Sequence, residues 1–322
     1  MRRALEVLTL LADGRARSGE AIAAELGVSR AAVWNHVSAL REIGIEILAA
    51  SGEGYRLERA FEPLDAAAIG AALSAQGCTA WTQVDASAVT DSTNERLLSK
   101  RAPDAHRCAL FAEFQTAGRG RRGDRWLSPP GSGLCFSVGW RFEALPPTFS
   151  ALSLAVGLGL VEELQLQGVA DARLKWPNDI VRGNEKLAGI LIEMRSEAGG
   201  PCLAIIGVGL NIRLSARARE LIDRPSGDIE SALSDFVARN SLAAALLARL
   251  ALTLETFARD GFAPFYARWT ANDALAGRAV TLESGERRVR GIARGADTHG
   301  ALLIETAEGL ERFLSGHLTA IE

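Results

Sequence analysis

Apolar residues at helical spacing open the chain. Ala4, Leu5, Leu8 and Leu11 share one face and predict a helix that stops before Gly14. Ser18 stands where a cap belongs for a second helix carrying Ile22 and Leu26, and Gly27 ends it. Ser29 caps a third, with Val28 and Val33 spaced as a hydrophobic staple and Val37 and Leu40 continuing the buried face toward Gly44. The short break at Gly27-Val28 makes helices two and three a helix-turn-helix. The period then switches to two. Ile45 and Ile47 alternate with polar residues, a Ser51-Gly52-Glu53-Gly54 turn follows, and Tyr55 and Leu57 resume the alternation. Three helices and a β-hairpin wing predict a winged helix over 1–62.

Beyond residue 63 the elements lengthen. A strand at 85–90 runs into Asp91-Ser92-Thr93-Asn94-Glu95, which opens a helix through Lys100; Ser92 and Glu95 have capping-box spacing. Segments 109–114 and 134–142 read as strands, 149–166 as a helix, and 241–259 as an Ala/Leu-rich packing helix. Residues 174–193 read as a strand, a turn broken by Pro177, a second short turn at Gly183-Asn184, and another strand, since proline denies a ladder its amide donor. The strand at 205–212 carries Gly207 and Gly209 and must pass close to something. The tail, 271–322, has short strands at 280–282, 288–292, 302–305 and 310–314 between glycines, with Gly291 placed as a bulge. The pattern is α+β in three units, 1–62, 63–270 and 271–322, the last a small β-barrel.

Composition narrows the classes. A chain of 322 residues, 48% hydrophobic and 23% charged, has material for two or three domains and a sizeable core. The net charge of −3 argues against a surface coated with basic residues, so nucleic-acid contact must be local. Residues 1–60 hold eight arginines and eight acids, which predicts weak DNA binding by one copy and points to a dimer on a two-fold site. Within a winged helix the third helix enters the major groove, so Ser29, Arg30, Asn35 and Trp34 are the expected base-reading residues. Cys78, Cys108, Cys135 and Cys202 lack CxxC spacing and predict reduced, mostly buried thiols of a cytoplasmic protein. The four histidines are dispersed, no metal cage is read, and neither a signal peptide nor a bilayer-spanning apolar run is expected.

The chemistry gathers at 115–128, Gln-Thr-Ala-Gly-Arg-Gly-Arg-Arg-Gly-Asp-Arg-Trp-Leu-Ser. Gly118, Gly120 and Gly123 let backbone amides approach a ligand, while Arg119, Arg121, Arg122 and Arg125 offer forks for phosphate or carboxylate oxygens. Trp126 offers a face for a purine. So positive a run should be loose until an anion fills it, and Asp124 is an unexpected acid that Arg122 or Arg125 can pair. Of 36 basic residues only Lys100, Lys175 and Lys186 are lysine. Two of them lie in one motif, which implies a task for a compact ammonium that a planar fork cannot perform. There, lysines and an Asp at a turn can hold a phosphate and Mg²⁺.

In combination, Asp-Ser-Thr-Asn at 91–94, Gln115 with the Gly/Arg run, Lys-Trp-Pro-Asn-Asp at 175–179, Lys-Leu-Ala-Gly-Ile-Leu at 186–191, Gly207, Gly209 and Asn211, and Arg294-Gly295 before Gly-Ala-Leu-Leu at 300–303 resemble the bifunctional biotin protein ligases that are also biotin operon repressors, along the whole chain. The resemblance implies a winged helix, a central α/β ligase domain related to class II aminoacyl-tRNA synthetases and an SH3-like C-terminal barrel. It implies an ATP-dependent biotin–[biotin carboxyl carrier protein] ligase: with Mg²⁺ present, biotin's carboxylate attacks the ATP α-phosphorus to give biotinyl-5′-AMP, and a carrier lysine then takes the biotinyl group. By the same similarity Ser92, Thr93, Asn94, Gln115, Arg119, Gly120, Arg121, Lys186 and Gly189 surround biotin, and Arg121, Arg122, Trp126, Asn178, Lys186 and Asn211 surround the nucleotide, with Lys175 and Asp179 in the same shell. Lys186, Arg121 and Arg119 carry the catalytic work. Operator DNA, the carrier protein and a ligand-promoted homodimer are the implied partners; a membrane is not among them.

Two other classes compete. A ligand-sensing regulator without catalysis has no use for Lys186 and the full arginine loop. A lipoate ligase or octanoyl transferase shares the catalytic fold, but the Ser/Thr/Gln set and the Gly/Arg loop favour a ureido head. No GxxxxGK[ST] run is present in the central unit, so ATP is not gripped in the P-loop manner.

Overall fold

The computed structural model describes every residue except 51, 197–199, 223, 234–236 and 322, so Ser51 of the expected wing turn lies outside the described residues. The head contains α1 (Arg2–Leu10), α2 (Gly19–Leu26), α3 (Arg30–Glu42) and a hairpin of β1 (Ile47–Ala50) and β2 (Gly54–Leu57). The Ser18 and Ser29 hydroxyls each accept an amide three residues on, and Gly27 ends α2 in the left-handed region. Leu5, Leu8, Leu11, Ile22, Val33, Val37 and Leu40 close over Ile47 and Leu57, and Phe114 of the neighbouring unit joins the same cluster.

The central unit follows with α4 (Ala66–Ala75), β3 (Gln83–Thr90), α5 (Thr93–Leu98), α6 (Ala102–Ala105), β4 (Cys108–Gln115), β5 (Gly133–Phe142), α7 (Leu152–Leu166), β6 (Arg173–Lys175), β7 (Asp179–Arg182), β8 (Glu185–Ser196), β9 (Cys202–Asn211), α8 (Ala216–Ile222), α9 (Arg239–Asp260) and α10 (Ala263–Ala271). Its seven strands make one sheet in the order β3-β4-β5-β9-β8-β7-β6, with only β3 and β4 parallel. Strand alternation separates two faces. Ala204, Ile206, Val208 and Leu210 of β9 enter the main core with α7 and α9. Leu203 and Ile205, on the other face, join a small cluster under α5, and Gly207 and Gly209 continue that face as bare floor. Opposite the floor, α7 and α9 pack on each other.

Several sequence expectations change. Residues 174–193 form three strands, not two, because the stretch after Pro177 has enough extended residues for β7 before Gly183 turns left-handed. Ser92 stands at the N-cap of α5 but its hydroxyl makes no capping bond; the Thr93 amide donates instead to Gln115 Oε1 from a different strand, and Ser92's own amide to Asp91 Oδ1. Phe149–Leu166 and α9 are long and apolar enough to cross a bilayer by length and composition, but neither is uncharged, and 67% and 56% of their apolar windows are buried. Helix α10 was not anticipated.

The C-terminal unit is an antiparallel sheet of β10 (Ala279–Ser284), β11 (Arg287–Ala296), β12 (Leu302–Thr306), β13 (Gly309–Phe313) and β14 (His317–Ala320), in the order β13-β12-β11-β10-β14. Strand β14 was missed by the pattern. The register shift lies between Ala293 and Ala296, at left-handed Gly295, and not at Gly291. Gly291 is instead a close approach, since a Cβ there would stand 2.3 Å from the Glu305 carbonyl oxygen. Val280, Leu282, Ile304 and Leu318 are continuous with the central core, and Trp176 Nε1 donates to the Gly300 carbonyl across the junction.

Candidate active site

A cleft opens on the bare face of the central sheet. Its lining joins the start of α5, the Gly/Arg loop, the 175–179 turn, β8, β9, Arg224 and residues 316–318 of the C-terminal sheet. Ser92, Thr93, Asn94, Gln115, Arg119, Gly120, Arg121, Arg122, Trp126, Asn178, Lys186 and Gly189 all border it, as do Lys175 and Asp179.

Glycine makes the floor. Gly189 and Gly209 are cross-strand partners, and the Trp126 indole lies on them; a Cβ on Gly209 would be 2.2 Å from Trp126 Cε2. Gly207 likewise leaves room for Asn94, whose Oδ1 would be 2.3 Å from a Cβ there. The close approach expected at 205–212 is thus made by two side chains of the same unit.

Lys186 reaches this floor by way of a bulge. Val181 pairs with Lys186 and Ile180 with Ala188, so Leu187 is the extra residue of β8. In an unbroken strand, residues 186 and 189 would point to opposite faces; the insertion brings both to the cleft. The Lys186 ammonium lies 2.6 Å from Asp179 Oδ1 and 5.6 Å from the centre of the Trp126 ring. Lys175 pairs in register with Asp179. Burial pulls the Lys175 ammonium below its ordinary range, against the pull of Asp179 and with the push of Lys186. Asn178 donates to the Ile190 carbonyl and accepts from Arg121 at 3.2 Å. Arg121 is held below its usual value by burial, then by Arg122, with Asp179 opposing.

Three arginines of the Gly/Arg loop have protein acceptors. Arg119 donates to Glu95 and Glu193, each at 3.0 Å, Arg121 to Asn178, and Arg122 to the Glu283 carbonyl of β10. Asp124 pairs with neither Arg122 nor Arg125; the sequence-distant Arg224 lies 3.8 Å away and also donates to the Arg125 carbonyl. Arg125 is exposed and also borders the cleft.

Asn211 sits apart from the main cleft. It borders an adjoining cavity with Arg125, Trp126, Lys186 and Arg224, and its amide nitrogen is spent on the Gly227 and Lys186 carbonyls. Trp126 Nε1 is buried without a hydrogen-bond partner and separates the two spaces. In the head, Ser29, Arg30, Trp34 and Asn35 are all exposed near the start of α3, Trp34 at 59%.

Three contributors escaped the sequence reading. Glu193 and Ser137 bind the ligand-facing side chains to one another, and residues 316–318 bring the C-terminal sheet to the rim. Glu193 follows Gly189 and Leu191 at strand spacing on the cleft face, and Ser137 is a lone hydroxyl in an apolar strand; both are legible signals.

Comparison with known proteins finds matches in three stretches of the chain. Residues 86–211 match the biotin/lipoate A/B protein ligase family, 3–56 a helix-turn-helix domain, and 276–317 the biotin protein ligase C-terminal domain. The bifunctional ligase/repressors BirA of Salmonella typhimurium and Escherichia coli are each 36% identical over 98% of this chain and 96% of their own length. A biotin–[acetyl-CoA-carboxylase] ligase of Mycobacterium tuberculosis is 35% identical over 77% of this chain and 92% of its own. The solved biotin protein ligase of Aquifex aeolicus, in complex with biotin and ATP, superposes with a TM-score of 0.64 at 29% identity, covering 75% of this chain and 99% of that one.

Proposed function

The chain belongs to the family of bifunctional biotin ligase/repressors, and on that premise we propose that its cleft condenses biotin with ATP to biotinyl-5′-AMP and passes the biotinyl group to a lysine of a biotin carboxyl carrier protein. The same chain represses transcription through its winged helix. The units are 1–62 for DNA, 63–270 for catalysis and 271–322 for the C-terminal domain.

The observation that carries the reading is the convergence of unlike groups in one cleft: neutral hydrogen-bonding side chains (Thr93, Gln115) and cations (Lys186, Lys175, Arg121). A molecule with a polar uncharged head and a carboxylate tail fits that set. Two anions must meet there, and the Lys186 ammonium is placed where charge grows at the carboxylate and α-phosphate as the anhydride forms. Its contact with Asp179 keeps it in position beforehand. Arg121 and Arg119, on the loop above, shield the anhydride from water. Trp126 and Asn211 border the space assigned to adenine, with Asn178 and Arg122 toward the phosphates. Ser92, Thr93, Asn94, Gln115, Gly120 and Gly189 surround biotin. Asp179, a hard oxygen donor lining the cleft, would be the residue to hold a Mg²⁺ accompanying the nucleotide, which would offset phosphate charge.

Ser29, Arg30, Trp34 and Asn35 meet operator bases, and two copies, joined when ligand binds, cover a two-fold site. Four free thiols suit a cytoplasmic setting. Incubation with labelled biotin, ATP, Mg²⁺ and an isolated carrier domain tests the enzyme: labelled carrier lysine is expected, and preferential labelling by lipoate or octanoate overturns the reading. A gel shift on the chain's own biotin-gene promoter, stronger with biotin and ATP, tests the repressor.

A further inference from the structure

Glu193 lies at the outer end of a hydrogen-bonded chain that leads to the cleft, and counting hydrogens gives that chain a direction. The Glu193 carboxylate and the Leu191 carbonyl only accept. Both face the Asn94 amide, at 2.8 and 3.3 Å, so the nitrogen of that amide must be on their side and its oxygen toward Ser137. Ser137 is fully buried and has one hydrogen for two oxygens, Asn94 Oδ1 at 2.5 Å and Thr93 Oγ1 at 2.7 Å. Asn94 Oδ1 cannot donate, so Ser137 serves it, and the Thr93 hydroxyl must fill the remaining contact with its own hydrogen. Thr93 is then left with lone pairs for the cleft. Gln115 Oε1 accepts the Thr93 amide at 2.8 Å and also lies 3.2 Å from the Thr93 hydroxyl, a longer contact than the 2.7 Å one to Ser137 that claims the hydroxyl's one hydrogen; the Gln115 NH₂ is left as the free donor.

We propose that Glu193 is a positioning residue for ligand selection: through Asn94 and Ser137 it fixes Thr93 as acceptor and Gln115 as donor, the complement of a cyclic urea's N–H and C=O. With Asn94 turned over, Ser137 would donate to Thr93, and the Thr93 hydrogen would be released toward Gln115 Oε1 or the cleft, where the urea also offers one. The oxygen that holds Asn94 also accepts from Arg119 at 3.0 Å, so the pocket floor and the first arginine of the loop share one anchor. The inference rests on the biotin reading above and adds a residue that does not itself border the cleft.

The test is acid-dependent ATP–pyrophosphate exchange, with biotin and with octanoate, a carboxylic acid that has no ureido head. Glu193→Met keeps the volume and removes the acceptor. Biotin KM is expected to rise about tenfold or more, as for loss of a charge-assisted hydrogen bond. The KM for ATP should stay near wild type, and the preference for biotin over octanoate should narrow. Glu193→Gln retains an acceptor for Asn94 and should recover most of the biotin KM. An unchanged biotin KM in Glu193→Met, or an equal rise for biotin, octanoate and ATP, overturns the inference. Should Glu193→Met fail to fold by thermal melt, Ser137→Ala cuts the same chain at its middle; a selective rise in biotin KM supports the inference and none overturns it. Absence of biotin-dependent exchange in the unmodified protein would instead overturn the ligase reading, a separate outcome.

Discussion

Trp126 rests on Gly209 so closely that one added methyl carbon would lie 2.2 Å from the indole. Gly189, the cross-strand partner of Gly209, completes the slot. Gly209→Ala is therefore expected to lift the indole while leaving the ladder intact. If Trp126 stacks on adenine, the KM for ATP should rise about three- to tenfold, the worth of an aromatic stack, with biotin KM little changed. Steady-state kinetics and tryptophan fluorescence check this together; altered fluorescence with unaltered ATP affinity would remove Trp126 from the nucleotide site.

Lys186 and Asp179 make the short ion pair of the cleft. Lys186→Arg keeps the charge but replaces a point ammonium by a wide fork that Asp179 can hold bidentately. The first half-reaction should slow by about a hundredfold, the range for losing a preorganised charge at a developing anion. Pyrophosphate release measures it, and full release by this variant would contradict the argument from a compact ammonium.

Arg121 crosses the cleft to Asn178. Its removal in Arg121→Gly should leave adenylation in place but let the anhydride escape, so that lysines of bystander proteins become labelled. Labelling of a whole lysate, compared with the unmodified protein, reads this directly. Selectivity for the carrier as high as that of the unmodified protein would count against retention by Arg121.

Asp273 lies in the link between α10 and β10, bridged along the backbone to Leu174. Burial pushes its carboxyl up to about 6, with the Leu275 amide pulling the other way. Between the ordinary value of 3.8 and about 6 the folded chain keeps a proton that the unfolded chain has lost, so stability falls as pH rises through that window and stays lower above it. Asp273→Asn can still accept from Leu275 and should stabilise the protein by on the order of 1–3 kcal/mol at neutral pH, with no gain below pH about 4. Melting curves across pH give the answer; an equal effect at both ends would exclude the carboxyl as the cause.

Local signals foretold local structure. Ser18, Ser29 and Gly27 act as their spacing promised because each bond they make is within a few residues. Where a partner lay far along the chain, the same signals misled. Ser92 has capping spacing, yet Gln115, brought alongside by the parallel pairing of β3 and β4, takes the Thr93 amide. Asp124 has arginines on both sides and meets Arg224 instead. The glycines at 207 and 209 announced a close approach without saying that Asn94 and Trp126 make it. The facing of Lys186 was the least legible of all, since alternation alone puts it on the wrong side and only the extra residue at Leu187 corrects it.

The scarcity of lysine has a chemical consequence for a protein that manufactures an amine-seeking anhydride. A guanidinium keeps its proton at any physiological pH and does not attack such a compound. Of the three lysines, Lys186 is paired with Asp179 and Lys175 lines the same cleft, which leaves Lys100 as the single side-chain amine elsewhere on the chain. Wherever positive charge is wanted on the outside, this molecule presents it in a form its own product cannot acylate, so a stray activated biotin meets few nucleophiles until a carrier arrives.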